Sequence, residues 1–198
     1  MAHTRTPEQQ TIFDRVRPLR TARWQADYQW HRLEPAVVEM GEDFGGLELV
    51  PDFQRGHVWT EAQQSHFIEN CLRGVVAADG FLIQFNCPNF EFAGEGDLSD
   101  GMQCLDGLQR LTAITRFIRG EIAAFGYYAA DLERTEFSPK RMHVKVAMHT
   151  FRWRTDLLDH YLAINSGGTP HSDSELERVR GLRAKSGGPV GEVMGHVD

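Results

Sequence analysis

The sequence predicts a single α+β domain, because segments with strand periodicity and segments with helix periodicity are interspersed along a chain of one-domain length. The chain has 198 residues, which suits one substantial hydrophobic core. Its 41% hydrophobic and 25% charged residues lie near globular averages and exclude a disordered or collagen-like chain. No apolar run approaches the roughly 20 residues of a membrane helix, and residues 1–10 are polar. We therefore expect a cytoplasmic protein without a membrane partner.

Cysteine and histidine spacing excludes two common kinds of site. The three cysteines, Cys71, Cys87 and Cys104, are odd in number and form no C-x-x-C pair, so neither a disulfide framework nor a zinc knuckle is indicated. The nine histidines include no H-x-x-x-H pair. We expect a protein of a reducing compartment with no transition-metal site.

Charge is distributed unevenly. The net charge is −7, yet residues 1–32 hold six arginines against three acidic residues, a net +3, which leaves −10 for the rest. With Trp24, Tyr28 and Trp30 interleaved, this segment is either an arm that binds DNA or an acidic partner, or an extension docked on its own domain by its aromatic residues. The predicted organisation is an arm at 1–32, a domain at 33–184 and a flexible tail at 185–198.

Periodicity and capping residues place the elements in order. Helices are predicted at 34–40, 60–74, 106–120, 155–164 and 173–184, and strands at 47–50, 81–85, 102–105 and 143–148, the last with one exposed face. Capping boxes begin two of the helices, formed by Thr60 with Gln63 and by Ser172 with Glu175. The helix at 106–120 has the strongest apolar stripe.

Three polar loops that contain glycine adjoin helix ends, where unpaired backbone groups favour an anion. They are Phe53–Trp59, Asp106–Arg110 and Asn165–Thr169. In the second loop, Gly107 would let a ligand approach the backbone, Gln109 and Arg110 would grip phosphate oxygens, and Asp106 would hold Mg²⁺ or orient a water.

Each loop also has an explanation that needs no ligand. Asp106 and Gln109 stand three residues apart at a helix start and fit a capping box. Arg55 is either a phosphate clamp or half of a surface ion pair. Asn165–Thr169 is either a helix terminator or a phosphate nest. No G-x-x-x-x-G-K-[ST] or G-x-S-x-G motif occurs, so a Walker-type site and a serine nucleophile elbow are not indicated.

Four motifs in order resemble a known family. They are Leu-x-x-Pro-Asp-Phe-Gln-Arg-Gly-x-Val-Trp within 47–59, Phe-Ile-Glu-x-x-Leu-x-Gly at 67–74, Asp-Gly-Leu-Gln-Arg-Leu-Thr-Ala-Ile at 106–114 and Ile-Asn-Ser-Gly-Gly-Thr-Pro-x-Ser-x-x-Glu-Leu at 164–176. The set is similar to the DGQQR-motif domain of the ParB/sulfiredoxin-like superfamily, the nucleotide-hydrolysing domain at the front of modification-dependent restriction factors. The resemblance implies a mixed sheet with flanking helices.

The resemblance also implies a site and an activity. The implied catalytic residues are Asp106, Gln109 and Arg110, with Asp106 as the metal ligand. The implied nucleotide-binding residues are Gln54, Arg55, Gly107, Asn165, Gly167, Gly168 and Thr169. The expected cofactors are Mg²⁺ and a nucleoside triphosphate, which the domain would hydrolyse in a DNA-related phage or defence setting.

Two departures from the family pattern keep other functions open. Leu108 replaces the family's usual first glutamine, which favours binding over turnover. No HNH-type nuclease domain follows, so we do not expect this chain alone to cleave DNA. The alternatives are a kinase that phosphorylates a small alcohol or a modified base, and a non-catalytic factor that binds DNA or protein.

Overall fold

A computed structural model describes residues 5–56, 58–76, 82–91, 94–166 and 173–186 and has the predicted α+β architecture. The contacts within the chain group it into two compact units, one of Met1–Thr21 with Trp153–Asp198 and one of Ala22–Arg152. The larger unit contains β1 (Trp24–Gln29), α2 (Trp30–Asp43), β2 (Leu47–Glu48), α3 (Glu61–Leu72), β3 (Leu82–Asn86), β4 (Met102–Asp106), α4 (Leu108–Ile118) and β5 (His143–His149). The smaller unit contains α1 (Pro7–Val16), α5 (Arg154–Ser166) and α6 (Asp173–Lys185).

The larger unit is built on a mixed sheet, as expected. Its strand order is β1-β5-β3-β4-β2. β5 runs parallel to β3, and β4 runs parallel to β2, whereas the β1–β5 and β3–β4 pairs are antiparallel. The predicted exposed face of β5 is present only at the start of the strand: His143 is exposed and Lys145 half-buried, whereas Ala147 and His149 on the same face are 0% and 4% exposed.

Helices α2, α3 and α4 contribute to the hydrophobic core on one face of the sheet. α4 contributes Leu108, Leu111, Ile114 and Phe117, whose spacing places them along one side of a helix. They pack in one cluster with buried strand residues such as Phe85. The core thus fixes the orientation of α4 relative to β4, the strand that leads into it.

Some elements differ from their predicted extents, and α1 and β1 were not predicted. α2 begins at Trp30 rather than Glu34, and Pro35 lies inside the helix. The proposed boundary between residues 32 and 33 therefore falls within α2. β2 ends at Glu48 rather than Val50. Thr60 and Gln63 form the predicted capping box of α3, with both reciprocal hydrogen bonds present.

The aromatic residues of the arginine-rich segment 1–32 take part in the packing of the fold. Trp30 is 2% exposed, and Trp24 and Tyr28 pack against the core from β1. Arg23 forms an ion pair with Glu91. These aromatic side chains are therefore not displayed as a stacking platform for DNA, and the DNA-binding hypothesis for residues 1–32 depends on the arginines of α1 and the segment that follows it.

The smaller unit consists of helices in its described part. Arg183 of α6 donates two hydrogen bonds to Asp159 of α5, at 2.7 and 2.9 Å. Arg20, beyond α1, lies 3.6 Å from Asp156. Ser172, the predicted cap of α6, lies outside the described residues. In the described ranges, no helix combines the length and hydropathy needed to span a bilayer.

His160 is expected to make stability depend on pH. Its side chain is 5% exposed, and burial lowers its pKa from 6.5 to about 4. Below pH 6.5, His160 therefore binds a proton in the unfolded chain but stays neutral in the folded chain until the pH approaches 4. Stability is lost as the pH falls through this range. We expect this residue to lower the free energy of unfolding by about 2 kcal/mol between pH 7 and pH 5. Urea unfolding at both pH values measures the effect, and His160→Gln should reduce the difference. An equal pH dependence in the variant would contradict the assignment.

Candidate functional site

The candidate site is the junction between β4 and α4. β4 ends at Asp106, and Gly107 follows with φ +96° as the N-cap of α4. No side chain caps this helix. The capping-box interpretation of Asp106 and Gln109 is therefore wrong: Gln109 turns away from its own helix start, and Asp106 lies before the cap. The first turn of α4 keeps the positive end of its helix dipole without a carboxylate cap.

Asp106 and Arg110 form an ion pair across the first turn of α4, from Arg110 Nη2 to Asp106 Oδ2. Their spacing of four residues places both side chains on one side of the junction. The Arg110 side chain is 25% exposed and that of Asp106 is 36% exposed. The pair therefore lies at the surface, where a solvent-borne anion can reach the guanidinium.

Gln109 joins α4 to the loop between β2 and α3, which we call the 53–59 loop. Its Oε1 accepts hydrogen bonds from the backbone N–H groups of Val58 at 3.0 Å and Trp59 at 3.1 Å. Its Nε2 donates to the carbonyl oxygen of Gly56 at 3.2 Å. Three hydrogen bonds from one amide thus fix the C-terminal part of the loop to the first turn of α4.

Gln54 fixes the other part of the same loop to β4. Its Nε2 donates to the carbonyl oxygens of Cys104 at 3.3 Å and Leu105 at 3.2 Å. These two carbonyl groups immediately precede Asp106. Arg55, which is half-buried, follows Gln54 directly in the chain. The structure therefore brings the aromatic-Gln-Arg motif and the Asp-Gly-Leu-Gln-Arg motif together, although they are about 50 residues apart in sequence.

The sequence analysis missed the residues that hold Trp59 from the opposite side. Gln64, which is 2% exposed, donates to the carbonyl oxygen of Trp59 at 3.1 Å. Arg116 of α4 in turn donates to Gln64 Oε1 at 2.9 Å. A buried glutamine one turn into a capped helix is a weak sequence signal, because most glutamines at such positions face solvent.

A polar pair adjoins the site on the neighbouring strands and was also missed. Gln84 of β3 pairs in register with Asp106. Its Oε1 lies 3.0 Å from Nε2 of His149 on β5, and the imidazole of His149 stacks on the ring of Phe151. Cross-strand neighbours are invisible in sequence until the register is known.

Cys104 is a buried neighbour of the site and not a nucleophile. Burial raises the pKa of its thiol to about 12, and the nearby Asp106 carboxylate adds to the rise, while the Gln54 amide and Arg110 oppose it. The thiol is therefore protonated at neutral pH, and a protonated thiol is a poor nucleophile.

Gly107 and Leu108 have structural roles at the junction. A Cβ on Gly107 would lie 3.0 Å from Ile83 Cα and 3.2 Å from the Leu82 carbonyl oxygen, so the missing side chain makes room for β3 rather than for a ligand. Leu108 is 6% exposed and belongs to the hydrophobic core. The side chain at position 108 thus faces the core, on the opposite side from solvent.

The third predicted loop is only partly described. Asn165 lies inside α5, in the smaller unit, and its Nδ2 donates to the carbonyl oxygen of Tyr161 at 2.8 Å. It is 8% exposed. Gly167, Gly168 and Thr169 lie outside the described residues.

The donor set for Mg²⁺ at the junction is small. No group of three or more His, Cys, Asp or Glu side chains suited to a metal occurs among the described residues. Mg²⁺ commonly takes only one or two protein carboxylates and completes its shell with phosphate oxygens and water. Asp106, which is partly exposed at the helix start, is suited to be one such carboxylate ligand.

Comparison with known proteins identifies the family. A family model described as the GmrSD restriction endonuclease, N-terminal domain, matches residues 39–180, which is most of the chain. The chain belongs to this family. In this GmrSD N-terminal domain, the matched region includes the 53–59 loop, the β4–α4 junction and Asn165–Thr169. No curated protein and no solved structure gives a significant match.

Proposed function

We propose that this GmrSD N-terminal domain binds a nucleoside triphosphate at the β4–α4 junction and hydrolyses it. The observation that carries the proposal is the surface ion pair of Asp106 and Arg110 at a helix start that no side chain caps. An uncapped helix N-terminus favours an anion, and an arginine fork matches phosphate oxygens. Family membership supports a role in restriction, the setting in which such domains are named.

Arg110 and Arg55 are the cations of the proposed site. Arg110 lies in the first turn of α4, and Arg55 lies in the loop that two glutamines hold against this turn. In the proposed mechanism both guanidinium groups counter the charge that develops on the transferred phosphoryl group. Binding of the triphosphate replaces part of the interaction between Arg110 and Asp106, because phosphate and carboxylate compete for the same donors.

Asp106 is the proposed acidic group. Once a bound phosphate took over the contact with Arg110, the Asp106 carboxylate would hold Mg²⁺ or orient the attacking water. When bound, Mg²⁺ would neutralise charge on the phosphate oxygens. In the structure without ligand, the Asp106 carboxylate is paired with Arg110.

An assay with γ-labelled triphosphate and Mg²⁺ tests this proposal. We expect label in inorganic phosphate for the wild type and none above background for Asp106→Asn, which keeps the shape of the side chain and removes its charge. Wild-type label that appears only on an added alcohol or hydroxymethylated DNA would indicate a kinase. Wild-type protein that binds nucleotide without releasing label would indicate a binding domain, and equal label release by the variant would contradict the role of Asp106.

A further inference from the structure

We infer that Gln54 and Gln109 are positioning residues that hold Arg55 at the β4–α4 junction, and that neither side-chain amide grips the phosphate. This inference rests on the proposed function, since it concerns the arrangement of that same site. It reassigns the two glutamines that the family resemblance places among the ligand-contacting residues. It is based on the hydrogen bonds that each amide already forms within the protein.

The amide of Gln109 has little bonding capacity left for a ligand. An amide oxygen has two lone pairs, and Oε1 accepts from both Val58 N–H and Trp59 N–H. Backbone N–H groups can only donate, so the atom that faces them must be the oxygen and not the nitrogen. Nε2 donates to the Gly56 carbonyl oxygen. Only one N–H of this amide remains.

The N–H groups of the Gln54 amide are also engaged in hydrogen bonds. Its Nε2 donates to the carbonyl oxygens of Cys104 and Leu105, which uses both N–H bonds of the amide. A phosphate oxygen needs a donor, and this amide has no further one to offer. The Gln54 side chain therefore serves to attach the loop to β4.

The two attachments bracket Arg55. Gln54 precedes it and is tied to the residues just before Asp106, while Gly56 follows it and is tied to the residue just before Arg110. The backbone of Arg55 is thus fixed on both sides to the strand and helix that carry the Asp106–Arg110 pair. Holding a cation in place before the ligand arrives reduces the entropy lost on binding.

The experiment compares Gln109→Met, Gln109→Glu and Gln54→Met with a matched control, Gln103→Met. Methionine keeps the length of glutamine and loses its hydrogen bonds, whereas glutamate keeps the two accepted bonds. Gln103 lies on β4 and donates to Glu48, away from the 53–59 loop. The first readout is amide hydrogen exchange of Val58 and Trp59 without ligand. The second is the dissociation constant of the protein for ATP, GTP, CTP and UTP in turn, each measured in the presence of Mg²⁺.

For Gln109→Met we expect exchange protection of Val58 and Trp59 to fall about tenfold and the dissociation constant to rise about tenfold. Gln54→Met should raise the dissociation constant similarly. Gln109→Glu should keep more of the protection than Gln109→Met, although its added negative charge also lowers affinity for an anion, and Gln103→Met should match the wild type in both measurements.

Three results would overturn the inference. Unchanged protection in Gln109→Met would show that the attachment is absent in solution. Lost protection with an unchanged dissociation constant would show that the attachment of the loop does not contribute to triphosphate binding. Unchanged protection combined with weaker binding in Gln109→Met would place the amide on the phosphate. If the wild type binds none of the four triphosphates, the proposed function and the positioning role both fail, while the exchange data still report whether the loop attachment exists.

Discussion

Gly107→Ala is expected to lower the free energy of unfolding by about 3 kcal/mol, because it combines backbone strain with a collision in a packed region. Gly107 has φ +96°, which side-chain-bearing residues rarely adopt. The added Cβ would also meet Ile83 Cα at 3.0 Å and the Leu82 carbonyl oxygen at 3.2 Å. Both neighbours belong to the backbone of a central strand, so neither can move without disturbing the sheet.

The matched control is Gly120→Ala at the other end of the same helix. Gly120 has φ +73° and no atom within 4 Å of the added Cβ, so only the strain remains. We expect a loss of about 1 kcal/mol there. Chemical denaturation of the two variants and the wild type measures both losses. Equal losses at the two positions would show that the close approach of Gly107 to β3 does not contribute.

Much of the fold was accessible from local sequence patterns. Thr60 and Gln63 indicated the start of α3 correctly because a capping box is a short-range hydrogen-bond pattern. The strands β3, β4 and β5 were placed within one residue of their observed ends, since buried apolar runs are strong local signals. α2 begins four residues before its predicted start, and its first turn carries no side-chain cap that would mark that start in the sequence.

The geometry of the site required the tertiary structure. Asp106 and Gln109 have the spacing of a capping box, yet each side chain has a different partner, Arg110 for the first and the 53–59 loop for the second. The partners of Gln54 and Gln109 lie about 50 residues away in sequence. Contacts of that separation depend on sheet order and helix packing, which no local pattern encodes.

Leu108 illustrates how the structure changes an argument from sequence. Its apolar side chain suggested the loss of an amide that positions water or phosphate. The structure places this side chain in the core, 6% exposed, while Asp106 and Arg110 face solvent. In this chain, leucine at position 108 contributes to the packing of α4 and removes nothing from the solvent-facing side. The substitution therefore does not argue against turnover.

Arg110→Met is expected to weaken triphosphate binding about 100-fold, a loss of about 2.7 kcal/mol. The substitution removes the guanidinium that would bind phosphate and also leaves the Asp106 carboxylate without its partner at the same helix start. The uncompensated negative charge then repels the anion. Arg119→Met is the matched control, since Arg119 lies at the other end of α4 and pairs with Glu34.

Calorimetric titration of Mg²⁺ and triphosphate into the wild type, Arg110→Met and Arg119→Met tests the central claim most directly. The claim is that the start of α4 holds the triphosphate. The predicted result is one binding event in the wild type, an affinity within about threefold of it in Arg119→Met, and a loss of about 100-fold in Arg110→Met. Wild-type affinity in a folded Arg110→Met protein would contradict the claim.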